Sequence, residues 1–444
     1  MSEIAGWGNY PRIATERLAP RRPAAVPALL TSRSGLIARG QGRAYGDAAI
    51  GMAATLSSQG LDRMRAFDSA TGCLTVEAGV TIAEILSTFV PRGFFLKVVP
   101  GTKFVSIGGA IASDIHGKNH HRDGSFGDHV QSLRLALPSG QIVDCSRAEN
   151  AELFTATIGG MGLTGVIVEA TVLMMPIETG WLKQTTHVAA NLDAAITALD
   201  ATASATYSVA WIDCVARGHA LGRSLIYVAD HASAADKDSL GPQRPQFPDP
   251  RRAGPTVPGW FPGFALNPLS VRAFNEIYFR RGAARAGAPE LVHWDPYFFP
   301  LDAIGAWYKI YGHRGFLQYQ CVIPAAHARA VLAEIMARVA RRGTASFLAV
   351  LKQLGDSHGL MSFPLRGYTL AMDFPITDTL FSFLNELDRL VVAAGGRLYL
   401  AKDARQSRAT FEAGYPSLPA FRDLRKRISA NDHLVSHLSA RLGI

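Results

Sequence analysis

Cysteine is scarce in this chain of 444 residues: Cys73, Cys145, Cys214 and Cys321 lie far apart and form no CxxC pair. That excludes a disulfide framework and the usual zinc spacings, and it reads as reduced, mostly buried thiols in a reducing compartment. No apolar run approaches the roughly 20 residues that cross a bilayer, so any membrane contact is expected to be peripheral. Met1–Tyr10 lacks the basic-then-apolar order of a secretory leader, and the apolar run after Arg21-Arg22 is broken by Pro23 and Pro27. Acidic residues are outnumbered, 36 to 45, for a formal charge of +9. Such a surplus favours anionic partners, phosphates or phospholipid headgroups among them. Nucleic acid is not expected, because no segment interleaves basic residues with stacking aromatics.

What is present is enough apolar material, 48% of the chain, for more than one core. Residues 1–180 alternate short strands with Gly-rich turns. Cys73–Gly79 reads as a strand. Thr81 then caps a helix, with Glu84 closing a capping box and Ile82, Ile85, Leu86 and Phe89 as its apolar stripe before Pro91 and Gly93. Leu133, Leu135 and Leu137 alternate up to Pro138-Ser139-Gly140, and Ile142 resumes, which predicts a hairpin. A helix over 151–158 and a strand over 166–175 follow.

Residues 181–395 carry a strand, helix and strand twice. The first set is Phe316–Ile323, a helix with Val331, Ile335 and Val339 aligned, and Ser346–Leu351. The second is Tyr368–Phe374, a helix with Leu380, Leu384, Leu387 and Val391 aligned, and Arg397–Ala401. This predicts a split βαββαβ layer, an antiparallel sheet backed by helices on one face, within an α+β chain. Before it, Pro242, Pro245, Pro248, Pro250, Pro255, Pro258, Pro262 and Pro268 make 241–270 a long loop. Trp260, Phe261 and Phe264 beside Arg251-Arg252 suit either a plain insertion or a lid touching lipid.

Two glycine-bearing loops stand out. In Arg39-Gly40-Gln41-Gly42-Arg43-Ala44-Tyr45-Gly46-Asp47 the spacing superficially matches a dinucleotide loop, but no amphipathic helix follows. Glycines flanked by Arg39 and Arg43 still let backbone N–H groups approach a diphosphate, and a surface turn would look the same. Gly101, Gly108 and Gly109 form a second such run, and together the loops would bracket a long anionic cofactor. His116, His120, His121 and His129 lie nearby, but Gly117 and Gly124 disfavour a helix and no carboxylate or cysteine completes a ligand set, so no metal is expected. Gln318 and Gln320 alternate on one strand and face the same way, as sugar-hydroxyl binders would. Lys352 falls at the end of another strand and Lys402 just past the last one.

These two loops, with Ile115-His116-Gly117-Lys118-Asn119-His120-His121, Gly124-Ser125-Phe126-Gly127, Gly162-Leu163-Thr164-Gly165 and Gly315-Phe316-Leu317-Gln318-Tyr319-Gln320, resemble the vanillyl-alcohol oxidase-type flavoenzymes. The likeness is strongest to the branch that oxidises a polyprenyl-phosphate-linked ribose, and it spans nearly the whole chain. It implies an FAD-binding domain of the PCMH type over 1–180, a substrate-binding domain over 181–395, and a segment, 396–444, that returns to the FAD domain. It implies FAD contacts from Arg39 through Asp47, from Gly101, Ser106, Ile107, Gly108, Gly109, Ser113, Asp114, Ile115 and His116, and from Ile167 and Tyr399. His116 stands where some relatives attach the flavin covalently; in the nearer branch FAD is held without a bond, and that is expected here.

The same resemblance puts Tyr45, Lys118, Gln318, Gln320, Lys352 and Lys402 on the substrate side, with Lys402, His116 and Tyr45 catalytic. It implies oxidation of a secondary hydroxyl to the keto sugar, the first half of an epimerisation to the arabinose donor of cell-wall biosynthesis. A short-chain NAD-dependent reductase would complete that epimerisation, in the cytoplasm or at the periphery of the inner membrane. Lys402 would stabilise the developing alkoxide or, if burial lowered its pKa, act as base, with Lys118 and Lys352 on phosphate or sugar. Mycobacterial members carry asparagine and cysteine where this chain has Thr369 and Ala371, and a tyrosine where it has Phe298. Those changes bear on substrate identity, and a soluble sugar-alcohol or aldonolactone oxidase is the alternative.

Overall fold

The computed structural model describes residues 2–239, 241, 243–251, 254–262, 267–343 and 348–444. Pro242, Arg252, Phe264 and Ser346, used above, lie outside the described residues.

The N-terminal part builds two sheets. A four-stranded sheet runs in the order Ser2–Ala5, Arg12–Leu18, Ala54–Ser57, Leu36–Arg39. In the second, Val166–Pro176 is central, flanked by Cys73–Glu77 and Val130–Ala136, with Phe94–Leu96 paired to its far end. The Thr81 capping box, the apolar stripe of Ile82–Phe89 and the hairpin around Gly140 form as the sequence predicts. The chain ends back on this part: Leu36 bridges Leu434, Gly51 bridges Ser436, and Arg441 holds Asp47 and Asp403 at 2.9 Å each.

The remainder is one eight-stranded antiparallel sheet made of two modules rather than the single one predicted. The first is Trp181–Ala189, Leu192–Ala201, Tyr207–Ile212, Ser224–His231, Pro268–Ala283 and Glu290–His293. The second is Phe316–Pro324, Ala325–Arg342, Ala349–Leu354, Gly367–Pro375, Leu380–Ala393 and Arg397–Leu398. Each is β-α-β-β-α-β with strands in the spatial order fourth, first, third, second. They join edge to edge through Ala210↔Leu351 and Trp211↔Val350. Residues 232–267 interrupt the first module between its third strand and second helix, which hid its repeat in the sequence.

Strand alternation sorts the two faces. Ala210, Ile212, Leu317, Tyr319, Ala349, Leu351, Leu370 and Met372 pack with the helices into one core, so their neighbours point to the opposite face. Three boundaries differ from expectation. Pro268 opens a helix instead of closing the loop, since proline fits a first helical turn and Asn267 caps it. Lys352 sits inside the strand Ala349–Leu354, opposite Thr369, rather than at its end. The last strand stops at Leu398, because Tyr399 N–H turns to the Gln320 carbonyl and Leu400–Lys402 makes a 3-10 turn.

Candidate active site

The free face of the sheet and the N-terminal part enclose a cavity of about 850 Å³. That is at the upper end of the roughly 300–1,000 Å³ of ligand pockets. Its N-terminal wall is the two glycine loops. Gly40 lies so close to Ser106 that a Cβ would meet its Oγ at 1.9 Å, which welds the loops together. The first loop is clamped from outside: Trp7 N–H donates to the Ala44 carbonyl at 2.8 Å, and Tyr45 N–H to that of Ala401 at 2.9 Å. Gly101 opens on empty space, so its backbone is free for close approach.

Of the residues implied for FAD, Gly40, Gln41, Gly42, Arg43, Ala44, Tyr45, Gly101, Ser106, Gly108, Gly109, Ser113, Ile115, His116, Ile167 and Tyr399 line the cavity. Arg39, Gly46, Asp47, Ile107 and Asp114 do not. Arg39 donates to the Ala5 carbonyl at 2.7 Å beneath Gly42, whose φ is +65°. Asp47 faces Arg441. Asp114 accepts from Gly127 N–H and from the Ser362 hydroxyl, and its burial pushes its carboxyl up to about 6. The side chains of all three are engaged within the protein.

Tyr45, Lys118, Gln318, Gln320, Lys352 and Lys402 all reach the cavity. Lys118 donates to the Tyr297 carbonyl and lies 4.1 Å from its ring centre. Lys402 stands 3.9 Å over the Tyr45 ring. Burial lowers Lys118 and Lys402 to about 7 and Lys352 to about 8, with Lys352 depressing the other two and Asp373 partly restoring Lys402. Three lysines converge, and among the described residues Asp373 is the one carboxylate that offsets them, which leaves room for an anion. Burial also raises the Tyr45 phenol, so it stays protonated.

His116 is 6% exposed, packed against the stacked pair Phe363 and Tyr399, and its Nε2 meets Gln320 Nε2 at 2.9 Å. Burial, then Lys352, His120 and Lys402, hold it neutral. Its Nδ1 has no partner among the described residues. The three histidines that follow it are tied to the protein itself: His120 joins Ser125 and Gly355, His121 the Ala205 carbonyl, His129 that of Asp123.

Sequence reasoning missed Asp373, fully buried, which accepts from Gln318 Nε2 at 2.7 Å and Tyr311 at 3.3 Å. The signal was there, since Thr369, Ala371 and Asp373 alternate on one strand. It also missed Val209, Trp211 and Tyr227 of the first module, which line the cavity with Ala371 and Phe298.

Residues 24–146 match the family described as FAD binding domain. The backbone-lined loops, the cavity size and the orphaned His116 nitrogen fit that cofactor, and the chain is an FAD-linked oxidoreductase. It is 36% identical, over 99% of its length and 97% of the relative's, to decaprenylphosphoryl-β-D-ribose oxidase of Mycolicibacterium smegmatis. It is 35% identical over 82% of its length to an uncharacterised Streptomyces coelicolor protein, all of which is covered. To D-arabinono-1,4-lactone oxidase of Yarrowia lipolytica it is 30% identical over 26% of its length and 21% of the relative's. The chain therefore belongs to the decaprenylphosphoryl-β-D-ribose oxidase family.

Proposed function

We propose that this enzyme oxidises a secondary hydroxyl of a polyprenyl-phosphate-linked pentose to the keto sugar, the first half of an epimerisation. The observation that carries this reading is the cavity's mixed wall, which combines Lys118, Lys352, Lys402, Gln318 and Gln320 with Val209, Trp211, Phe261 and Phe298. A free sugar needs no apolar half. Similarity to the lactone oxidase covers about a quarter of the chain, which supports a common cofactor more than a common substrate.

FAD supplies the hydride acceptor. Lys402, lowered to about 7, takes the hydroxyl proton as a free amine near neutral pH. Asp373, held by Gln318 and Tyr311, steadies that lysine when it is charged. Lys118 and Lys352 hold the phosphate or sugar oxygens. Gln318 and Gln320 face the sugar, although both N–H groups of Gln320 are engaged with His116 and Thr369, so its carbonyl oxygen does the contacting. His116, neutral and with its Nε2 engaged by Gln320, orients ligands and takes up no further proton, and the occupied Nε2 favours non-covalent FAD. On this reading residues 1–180 and 396–444 hold the cofactor, and 181–395 covers it.

The keto product implies a short-chain NAD-dependent reductase as partner. Among the described residues no helix is long and apolar enough to cross a membrane. A peripheral contact on the cytoplasmic side is supported less by the Pro-rich loop, whose Trp260 packs on Tyr308 and His313, than by the helix Pro268–Ala283. That helix exposes Leu269 (77%) and Ile277 (54%) beside Arg272, Arg280 and Arg281. An anaerobic titration tests the reading: polyprenyl-phosphoribose should bleach the flavin and free alditols or lactones should not. Bleaching by free sugars alone would replace it with the soluble-sugar oxidase.

A further inference from the structure

The tautomer of His116 can be worked out from the side chains behind it. Thr369 Oγ1 lies 2.9 Å from the Cys321 carbonyl, which only accepts, so the hydroxyl hydrogen points there. The Thr369 oxygen is then an acceptor toward Gln320, 3.2 Å away. The opposite amide orientation would set two acceptors, the Gln320 and Cys321 oxygens, against a single hydroxyl hydrogen. The amide therefore presents its NH₂ group, and its second N–H lies 2.9 Å from His116 Nε2. A neutral imidazole that accepts at Nε2 carries its hydrogen at Nδ1, the nitrogen with no partner among the described residues. All three side chains are nearly closed to solvent, at 1%, 6% and 6% exposure, so water cannot rescue a wrong orientation.

We propose that Thr369 is a positioning residue that, through Gln320, locks His116 as the neutral Nδ1–H tautomer. His116 thereby keeps its hydrogen at Nδ1, an atom closed to solvent, in a ring that borders the cavity. It is closed as a general base. Lys352, His120 and Lys402, the charged and titratable groups around it, all oppose an imidazolium, so the lock holds through neutral pH. The inference stands on the protein's own hydrogen bonds and is independent of which alcohol the enzyme oxidises.

The test is a two-bond proton–nitrogen correlation spectrum of ¹⁵N-histidine-labelled, flavin-loaded protein, with the His116 signals assigned by their loss in His116→Asn. Wild type and Thr369→Ser should show a single Nδ1–H pattern, unchanged from about pH 6 to about pH 8, well above where a ring held neutral by burial would titrate. Thr369→Val removes the acceptor that orients the amide and should add an Nε2–H population. Gln320→Glu, whose carboxylate only accepts, should place a hydrogen on Nε2. An Nε2–H ring in the wild type, or a Thr369→Val spectrum with the Nδ1–H pattern alone, overturns the proposal. Flavin content, read by absorbance in the same samples, reports separately on the cofactor reading.

Discussion

The two βαββαβ modules share strand order and helix placement, yet they offer the cavity opposite chemistries. The first presents Val209, Trp211 and Tyr227, and the Tyr227 hydroxyl is engaged by Tyr278. The second presents Gln318, Gln320 and Lys352 beside Val350 and Ala371, with Thr369 and Asp373 buried behind them. One scaffold, doubled and joined at an edge, thus supplies an apolar stretch from one module and polar groups from the other to one cavity. A substrate with a lipid end and a sugar-phosphate end matches that division.

Lys402 borders the polar half, and its loss should do the most damage. Lys402→Met is expected to slow flavin reduction about 100- to 10,000-fold, the usual worth of a general base, with flavin binding retained. Stopped-flow bleaching measures it, and an unchanged rate removes Lys402 from the mechanism. Next comes Lys352→Met, which should raise KM for the lipid-linked sugar about 10- to 100-fold, since hydrogen bonds from charged groups are worth about 1.5–3 kcal/mol. On the apolar side, Trp211→Ala should weaken long-chain substrate about 10-fold and leave short-chain analogues unaffected.

The pH dependence sharpens the contrast further. The base form of Lys402 is the free amine, so the rate should rise as pH climbs through about 7 and then level. Asp373→Asn removes a negative charge that favours the ammonium, and it should move that limb to lower pH. A limb that moves upward contradicts the pairing. The smallest effect is at the surface: Leu269→Glu with Ile277→Glu should reduce co-sedimentation with anionic vesicles and leave turnover of a detergent-solubilised substrate intact.

Much of this was legible in the residues. The second module announced itself because its strands and helices run uninterrupted with periods of two and about 3.6. The first did not, because residues 232–267 part its third strand from its second helix, and that helix buries only Val271 and Asn275. The outward alternation of Gln318 and Gln320 was readable from one strand alone. Asp373 lay two positions from Ala371 and was overlooked because a strand carboxylate looks like solvent-facing charge until the opposite face proves closed. Loop composition showed which loops border the cavity, but not which side chains turn inward. Arg39, Asp47 and Asp114 fit a diphosphate or ribose by type, and each is engaged by backbone or by a distant residue such as Arg441 or Ser362.

The division of labour between modules is tested most directly by measuring kcat/KM for pentose phosphates carrying short and long polyprenyl chains in Trp211→Ala and Lys352→Met. The expected result is a chain-length preference abolished in the first variant and retained, at uniformly lower kcat/KM, in the second. If both variants lose the preference equally, or neither does, the two halves do not read separate ends of the substrate.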